Sequence, residues 1–542
     1  MSDGPYRREL PHAAVAALLA LLVGWSFHQR WAVLDATPYP VGIDGYFYAI
    51  QLRSLLDGGA LAYPASPLAF WLMAPFALAT DPIVGAKLGA AFWGALIAVP
   101  AYGVGARLGR SRAAGLLAAV LATTSAGSMY ATLEFVKNGI GLTVAMTALW
   151  LVLRACERPS RGRLAGAAAA IAAAALAHKM AAAIVVAAAL PAALAEARAR
   201  GALDRRRMAF AAAALAGLAA VALVLGLVFP QRFPSPADVD LVAGAFTTDA
   251  RWTAPALASD RATLAMGHEA LIGAVLALLA IAVTFVRPPA PHPRDVPSLA
   301  AVADLAIARE PRRGAGAGER AVGWAAVVLA LAIGLPWLAV DDAQGLGFRL
   351  RVAAYVPMAL CAAMFAGRAL ARVPHRELLL ALLAFGLLDR GTQAVARRGG
   401  SIRVEQGRVE QGLVEGEVVV HPALVTSVLA LGPRIPAGAT AIVPERHIAF
   451  MVAWYTRAPI RIRPDDVPAA SRVRILPLAW IEAGSPLDEA LLDARAAPLP
   501  PPLGAHPRHP NGLVLVTEPV WDWALARVPP EARAYWGAWP TR

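Results

Sequence analysis

Cysteine is nearly absent from this 542-residue chain, which has only Cys156 and Cys361. Both fall within or beside long apolar runs, so no disulfide framework organises the molecule. Lysine is almost as scarce, with three residues against 47 arginines. That bias, with abundant alanine, resembles the composition of a high-GC genome and predicts a bacterial source. No small-residue cleavage site follows the N-terminal apolar run, which predicts a retained first span instead of a removed signal peptide. There is no internal repeat, and this counts against a transporter built from related halves.

Apolar residues make up 58% of the chain, at a mean hydropathy of +0.55. A soluble globular protein does not gather such an excess into long uncharged runs. Here the runs lie at about 11–28, 83–106, 113–128, 139–155, 164–177, 181–196, 209–229, 268–286, 321–340, 350–367 and 375–389. They predict an α-helical polytopic membrane protein with about eleven transmembrane helices. The net charge of +13 does not indicate nucleic acid, because the arginines sit in short loops between these runs. Clusters follow every even-numbered run: Arg107, Arg110 and Arg112; Arg154 to Arg163; Arg198 to Arg207; Arg287 to Arg320; and Arg368 to Arg376. The positive-inside bias accounts for them and puts the N-terminus in the cytoplasm.

The stretch 164–196 decides the topology. One long span would send Arg205–Arg207 outside, whereas a hairpin with His178 and Lys179 at its tip keeps the alternation. The apolar segment 66–80 is read as an interfacial or re-entrant helix with Phe70 and Trp71 at headgroup depth. The Pro/Arg/Gly-rich loop at about 287–320 is expected to be flexible. The transmembrane domain then covers 1–390, and 391–542 forms a small C-terminal α/β domain outside the membrane. Its predicted strands are Glu417–Val420, Thr440–Val443, Ile460–Ile462 and Leu513–Val516, with a helix at His447–Tyr455.

The ionisable groups of the outward loops recur at span ends. The first loop reads Gly42-Ile43-Asp44-Gly45-Tyr46-Phe47-Tyr48 and continues through Arg53 to Gly58-Gly59. Asp44 is placed to cap a short helix ending at the glycine pair. Tyr46, Phe47 and Tyr48 would make that helix interfacial. The second loop brings Glu134 and Lys137, and the third brings His178 and Lys179. In an arginine-dominated chain, lysines at two outer tips suggest a phosphate or carboxylate partner, or pairing with lipid headgroups. Arg349 and Arg351 run against the positive-inside bias and call for an anion, either a lipid phosphate or Asp341 and Asp342.

The order of these features resembles the GT-C membrane glycosyltransferases. Asp44–Gly59 is similar to the first loop of oligosaccharyltransferase catalytic subunits and of aminoarabinose and protein mannosyl transferases. Phe348–Pro357 resembles the arginine-bearing start of a later span. The likeness covers about residues 10–155 well and 340–370 in part. It implies transfer of a sugar from a polyprenyl-phosphate-linked donor to a lipid, glycan or protein acceptor, at the outer face of a bacterial inner membrane. Asp44 would be the catalytic carboxylate, and Arg349, Arg351, Lys137 and Lys179 would bind the donor phosphate. Glu134 and His178 would support the site or hold a divalent metal, Mg or Mn; Tyr46, Tyr48 and Arg53 complete the first loop. The oligosaccharyltransferase branch shows two acids in its second loop, and here Glu134 stands alone. Trp521-Asp522-Trp523 is only superficially like that branch's acceptor-reading motif. Both departures favour a metal-independent enzyme. The competing reading is a transporter or lipid-linked-glycan flippase, which would want ionisable groups near mid-membrane.

Overall fold

The computed structural model describes residues 11–42, 44–202, 205–230, 233, 235–248, 261–285, 316–340, 345–370, 373, 379–380, 382–384, 386, 402–405, 408–411, 418–420, 422–444, 446–461, 467–477, 513–516 and 518–527. Helix α1 spans His12–Leu34, α2 Gly45–Gly58, α3 Leu68–Ala79, α4 Pro82–Leu96 and α5 Ala98–Leu108. They are followed by α6 Arg112–Thr124, α7 Ala126–Leu133, α8 Val136–Glu157, α9 Arg161–Ala177, α10 Lys179–Ala199, α11 Arg205–Val228 and α12 Pro236–Ala243. Helices α13 Arg261–Phe285, α14 Ala317–Gly334, α15 Leu346–Val352 and α16 Tyr355–Ala369 complete the bundle.

The chain is a multi-pass membrane protein. Among the described residues, six helical stretches are long and apolar enough to cross a bilayer, or eight if two bent pairs each count once. The pairs are α6 with α7, bent by 46°, and α15 with α16, bent by 44°. This is fewer than the eleven expected. Helix α9 has 17 residues and covers about 25 Å, short of a hydrocarbon core about 30 Å thick. The 24-residue α11 lies along the predicted run at 209–229, and much of 375–389 lies outside the described residues.

The hairpin reading of 164–196 holds. Helix α9 stops at His178, whose extended backbone (φ −166°, ψ 142°) starts α10. A Cβ on Gly141, early in α8, would stand 3.0 Å from His178 Cβ. At the other end of α10, Arg200 donates to the carbonyls of Cys156 and Glu157. So α10 starts beside the start of α8 and ends beside its end. The arginine-bearing turns gather at that second end: Arg107 pairs with Glu157, Arg112 lies 2.7 Å from His12 Nε2, and Arg368 donates to Thr284 Oγ1.

Helix α3 has 12 residues with Pro75 inside it, and it leaves Trp71 and Leu78 exposed, as suits a helix too short to span; Phe70, expected at headgroup depth, is instead fully buried against Phe47 and Tyr48. Helix α2 departs from expectation. Tyr46, Phe47 and Tyr48 are not at an interface; all three are at most 5% exposed. The C-terminal segment covers Tyr46 and Phe47, and Phe70 packs on Tyr48.

That segment has two sheets. Strands β1 Ile402–Glu405, β2 Arg408–Gln411 and β3 Val418–Val420 form an antiparallel meander. Strands β4 Thr440–Ile442, β5 Ile460–Arg461, β6 Arg472–Pro477 and β7 Leu513–Val516 take the order β5-β4-β6-β7. Strand β4 is parallel to both neighbours, while β6 and β7 are antiparallel. Helix α17 is Pro422–Leu431, α18 is Arg446–Thr456 and α19 is Glu518–Arg527. A parallel pair needs a crossover, and α18 supplies the one from β4 to β5. Its apolar stretch Ile448–Ala453 is buried, and Phe450 sits 5.2 Å from Phe47 and 5.8 Å from Tyr63, ring centre to ring centre. Burying such a ring contributes about 2–3 kcal/mol. Trp521, of the motif noted above, is a core residue at 1% exposed.

Candidate active site

Two glycines let the first loop fold tightly enough to present Asp44. Gly42 has φ +91°, and a Cβ there would overlap Leu133 O and stand 3.2 Å from Glu134 Oε2. A Cβ on Gly45 would lie 2.9 Å from Pro40 C and Cβ. Asp44 is the N-cap residue of α2, yet its side chain makes no capping hydrogen bond. It turns instead to Arg446, the first residue of α18. Arg446 Nη2 donates to Oδ2 at 3.0 Å. Nε lies 2.8 Å from Oδ1, close enough for charge attraction, though neither of those two atoms makes a hydrogen bond.

Around this pair stand several residues expected from sequence. Lys137 Nζ lies 4.9 Å from the Phe47 ring centre, and the charges acting on it are Asp44, Arg446 and Arg349. The Lys137 backbone N–H donates to Tyr48 Oη at 3.4 Å. Burial, then the Asp44 charge, raises the Tyr48 phenol above its ordinary value, so it stays protonated. Glu134 ends α7, is buried, and adds to the field at Tyr48. His178 is half-buried and its Nδ1 accepts the Met180 N–H at 3.1 Å. Burial, then the charges of Lys137, Arg349 and Lys179, pushes it down to about 3. It is a neutral imidazole among cations. Asp44, Tyr48, Glu134, Lys137, Arg349 and His178 therefore share one neighbourhood, at the end of the bundle opposite the arginine-bearing turns.

Other expected residues are engaged elsewhere. Lys179 Nζ donates to Asp238 Oδ1 at 2.8 Å, to Asp238 Oδ2 at 2.7 Å and to Pro230 O at 2.8 Å. Burial would raise the Asp238 carboxyl, but hydrogen bonds from Lys179 and Ser235 outweigh it and hold it below the usual range. Arg53 is a docking residue. It donates to Trp454 O at 2.9 Å and lies 4.3 Å over the Trp454 ring. Tyr46 Oη meets Tyr455 Oη at 3.3 Å. Arg349 and Arg351 are two apart on a helix, so their side chains leave it roughly 200° apart. Arg351 is 2% exposed and turns to α13, where a Cβ on Gly267 would stand 3.4 Å from its Nη1. Asp341 and Asp342 lie outside the described residues.

The divalent metal weighed from sequence has a poor ligand set here. Among the described residues no three His, Cys, Asp or Glu side chains come together as ligands. Asp44 faces a guanidinium, and His178 Nδ1 is already an acceptor.

Arg446, Asp238 and Arg30 were not singled out from sequence. Arg30, 1% exposed in α1, donates to Thr132 Oγ1 at 3.1 Å, to Ser128 Oγ at 2.7 Å, to Thr123 O at 3.0 Å and to Ser26 Oγ. It binds both arms of the α6–α7 bend and so sets where Glu134 comes. The one signal for Arg446 was its place just after a predicted strand. Carboxyl ends of strands are where open α/β sheets present functional groups.

Residues 64–226 match the family model described as dolichyl-phosphate-mannose-protein mannosyltransferase. No curated protein matches the chain. Among solved structures, ArnT from Cupriavidus metallidurans in its apo state is similar at 12% identity, over 93% of this chain and 98% of that one, with a TM-score of 0.48. The same protein bound to undecaprenyl phosphate is similar at 13% identity, over 92% and 98%, also at 0.48. An Archaeoglobus fulgidus oligosaccharyltransferase complex with Zn and sulfate is similar at 15% identity, over 82% of this chain and 62% of that one, at 0.46.

Proposed function

We propose that the chain is a GT-C-type membrane glycosyltransferase that moves a sugar from a polyprenyl-phosphate donor onto an acceptor hydroxyl. The observation that carries this reading is the grouping of Asp44 with Lys137, Arg349 and Arg446 at one end of the bundle. A lipid-linked donor has a phosphate that must depart and an acceptor that must lose a proton. Cations and one carboxylate are what those two needs require. The matched family is described by a dolichyl-phosphate-mannose donor, which supports a lipid phosphate as leaving group.

In this reading the acceptor oxygen attacks the anomeric carbon and Asp44 takes its proton. The bond from the anomeric carbon to the phosphate oxygen breaks, and the electron pair leaves with the phosphate. The departing group gains negative charge, and Lys137 and Arg349 stabilise it. No step needs a metal. The positive-inside bias puts the arginine-rich end in the cytoplasm and the site at the outer face of a bacterial inner membrane. The acceptor is a lipid, a glycan or a protein at that face.

The test is mass spectrometry of glycolipids and glycans from a deletion strain, complemented with wild type or with Asp44→Asn. A sugar missing from the deletion strain should return with wild type and stay missing with Asp44→Asn. Removing a general base costs roughly 10²–10⁴-fold. Full restoration by Asp44→Asn would remove its assignment as base, and an unchanged profile on deletion would remove the reaction.

A further inference from the structure

Arg446 reaches the site from a part of the chain about 400 residues away. Its guanidinium faces both carboxylate oxygens of Asp44, at 3.0 Å from Oδ2 and 2.8 Å from Oδ1. The guanidinium takes a lone pair of Oδ2 and stands against Oδ1. In this arrangement the base is covered. Something must draw Arg446 away before transfer, and it must offer the guanidinium at least as much as Asp44 does.

We propose that Arg446 is a ligand of the donor's phosphate, and that the phosphate, on arriving, takes the guanidinium from Asp44 and so uncovers the base. This rests on the transferase reading above. Three further observations support it. First, Arg446 is already among the cations that a phosphate would meet, since its charge and that of Arg349 both act on Lys137. Second, Asp44 keeps a cation when Arg446 leaves, because Lys137 feels its charge directly, so the exchange does not strand a buried anion. Third, the exchange needs no domain movement. Helix α18 is fastened to α2 by Arg53 on the Trp454 carbonyl and ring, Phe450 on Phe47, and Tyr455 on Tyr46. Only the long Arg446 side chain has to turn, pivoting over Phe450, whose ring centre is 5.9 Å from Cζ.

The chemistry sets the direction of exchange. A guanidinium binds two phosphate oxygens as well as it binds a carboxylate. The donor is a phosphate diester with one negative charge; the departing lipid phosphate carries up to two. Arg446 therefore holds the leaving group more tightly than the intact donor, which is the differential binding that accelerates transfer. Base release and leaving-group stabilisation become one motion, and Asp44 stays covered while the site has no donor.

The test uses the full-length protein in detergent with undecaprenyl phosphate as probe. Asp44 is followed by carbodiimide labelling and peptide mass spectrometry, and probe affinity by native mass spectrometry. In wild type, labelling of Asp44 should be low and should rise several-fold with the probe. In Arg446→Gln it should be high without the probe, and affinity should fall about 10–100-fold. Arg446→Lys, which keeps the charge but not the fork, should fall between and serves as the folded control. Equal probe affinity in wild type and Arg446→Gln would overturn the proposal, as would Asp44 labelling that the bound probe leaves unchanged. If the deletion strain loses a sugar while Arg446→Gln binds the probe like wild type, this inference alone fails. If deletion changes no glycan, the transferase reading fails first.

Discussion

At the start of α2, Asp44 forgoes the capping bond that its position offers and takes a guanidinium instead. At the start of α10, His178 does the reverse: it caps its helix and stays neutral among Lys137, Arg349 and Lys179. The second case has a consequence for pH. Burial and those cations push His178 down to about 3 from an ordinary value of 6.5. Between those values the unfolded chain binds a proton that the folded chain does not. Stability is thus complete above about pH 6.5 and declines as pH falls toward 3. His178→Asn keeps a capping side chain but cannot titrate. Thermal melting in detergent from pH 7 to pH 4 should show the wild-type melting temperature falling more steeply than that of His178→Asn. Parallel curves would show that His178 does not carry the effect.

Among elements, the 46° bend between α6 and α7 sets where Glu134 comes. Ser125 sits at the bend and accepts the Ser128 N–H, while Arg30 bonds to Thr123 on one arm and to Ser128 and Thr132 on the other. Gly94 leaves room for this, since a Cβ there would stand 2.6 Å from Thr132 Oγ1 and 2.8 Å from Arg30 Nε. Glu269 closes the other side by accepting the N–H groups of Ala126 and Gly127. A buried guanidinium satisfied by neutral oxygens is a structural device. Arg30→Met removes its hydrogen bonds and leaves hydroxyls and a carbonyl unpaired, at about 2–4 kcal/mol. The expected outcome is a lower melting temperature together with lost transfer, because the bend that carries Glu134 loosens. A normal melting temperature in Arg30→Met would mean that the bend holds without it.

On the scale of the whole molecule, the site lies between two bodies of the same chain. The helical bundle brings Asp44, Lys137 and Arg349, and the C-terminal segment brings Arg446 and seals α2 with Phe450 and Tyr455. The proposed reaction needs both bodies to meet at the outer end. Reporter fusions at residue 205 should be active only as cytoplasmic reporters, and fusions at residue 450 only as outer ones. The reverse pattern would put the site on the wrong side for the reaction proposed.

Local sequence carried a good part of the fold. Apolar runs foretold the membrane helices because burying twenty apolar residues in lipid is decided within the run itself. Arginine clusters foretold the break at His178, since charge at helix ends is also a local property. The short strands at 440–442 and 513–516 and the helix from Arg446 could be read from alternation and period alone. Other features had no local signal. Arg446 is one of 47 arginines, and its partner is 402 positions away. Lys179 looked available until Asp238, 59 positions on, came to it. Tyr46 and Phe47 looked interfacial because nothing near them in sequence says that α18 will cover them. Which residues are apolar, and where charge may sit, belongs to the sequence. Which charge meets which, and so whether Asp44 caps its helix or faces a guanidinium, was decided only when two distant parts of the chain closed on α2.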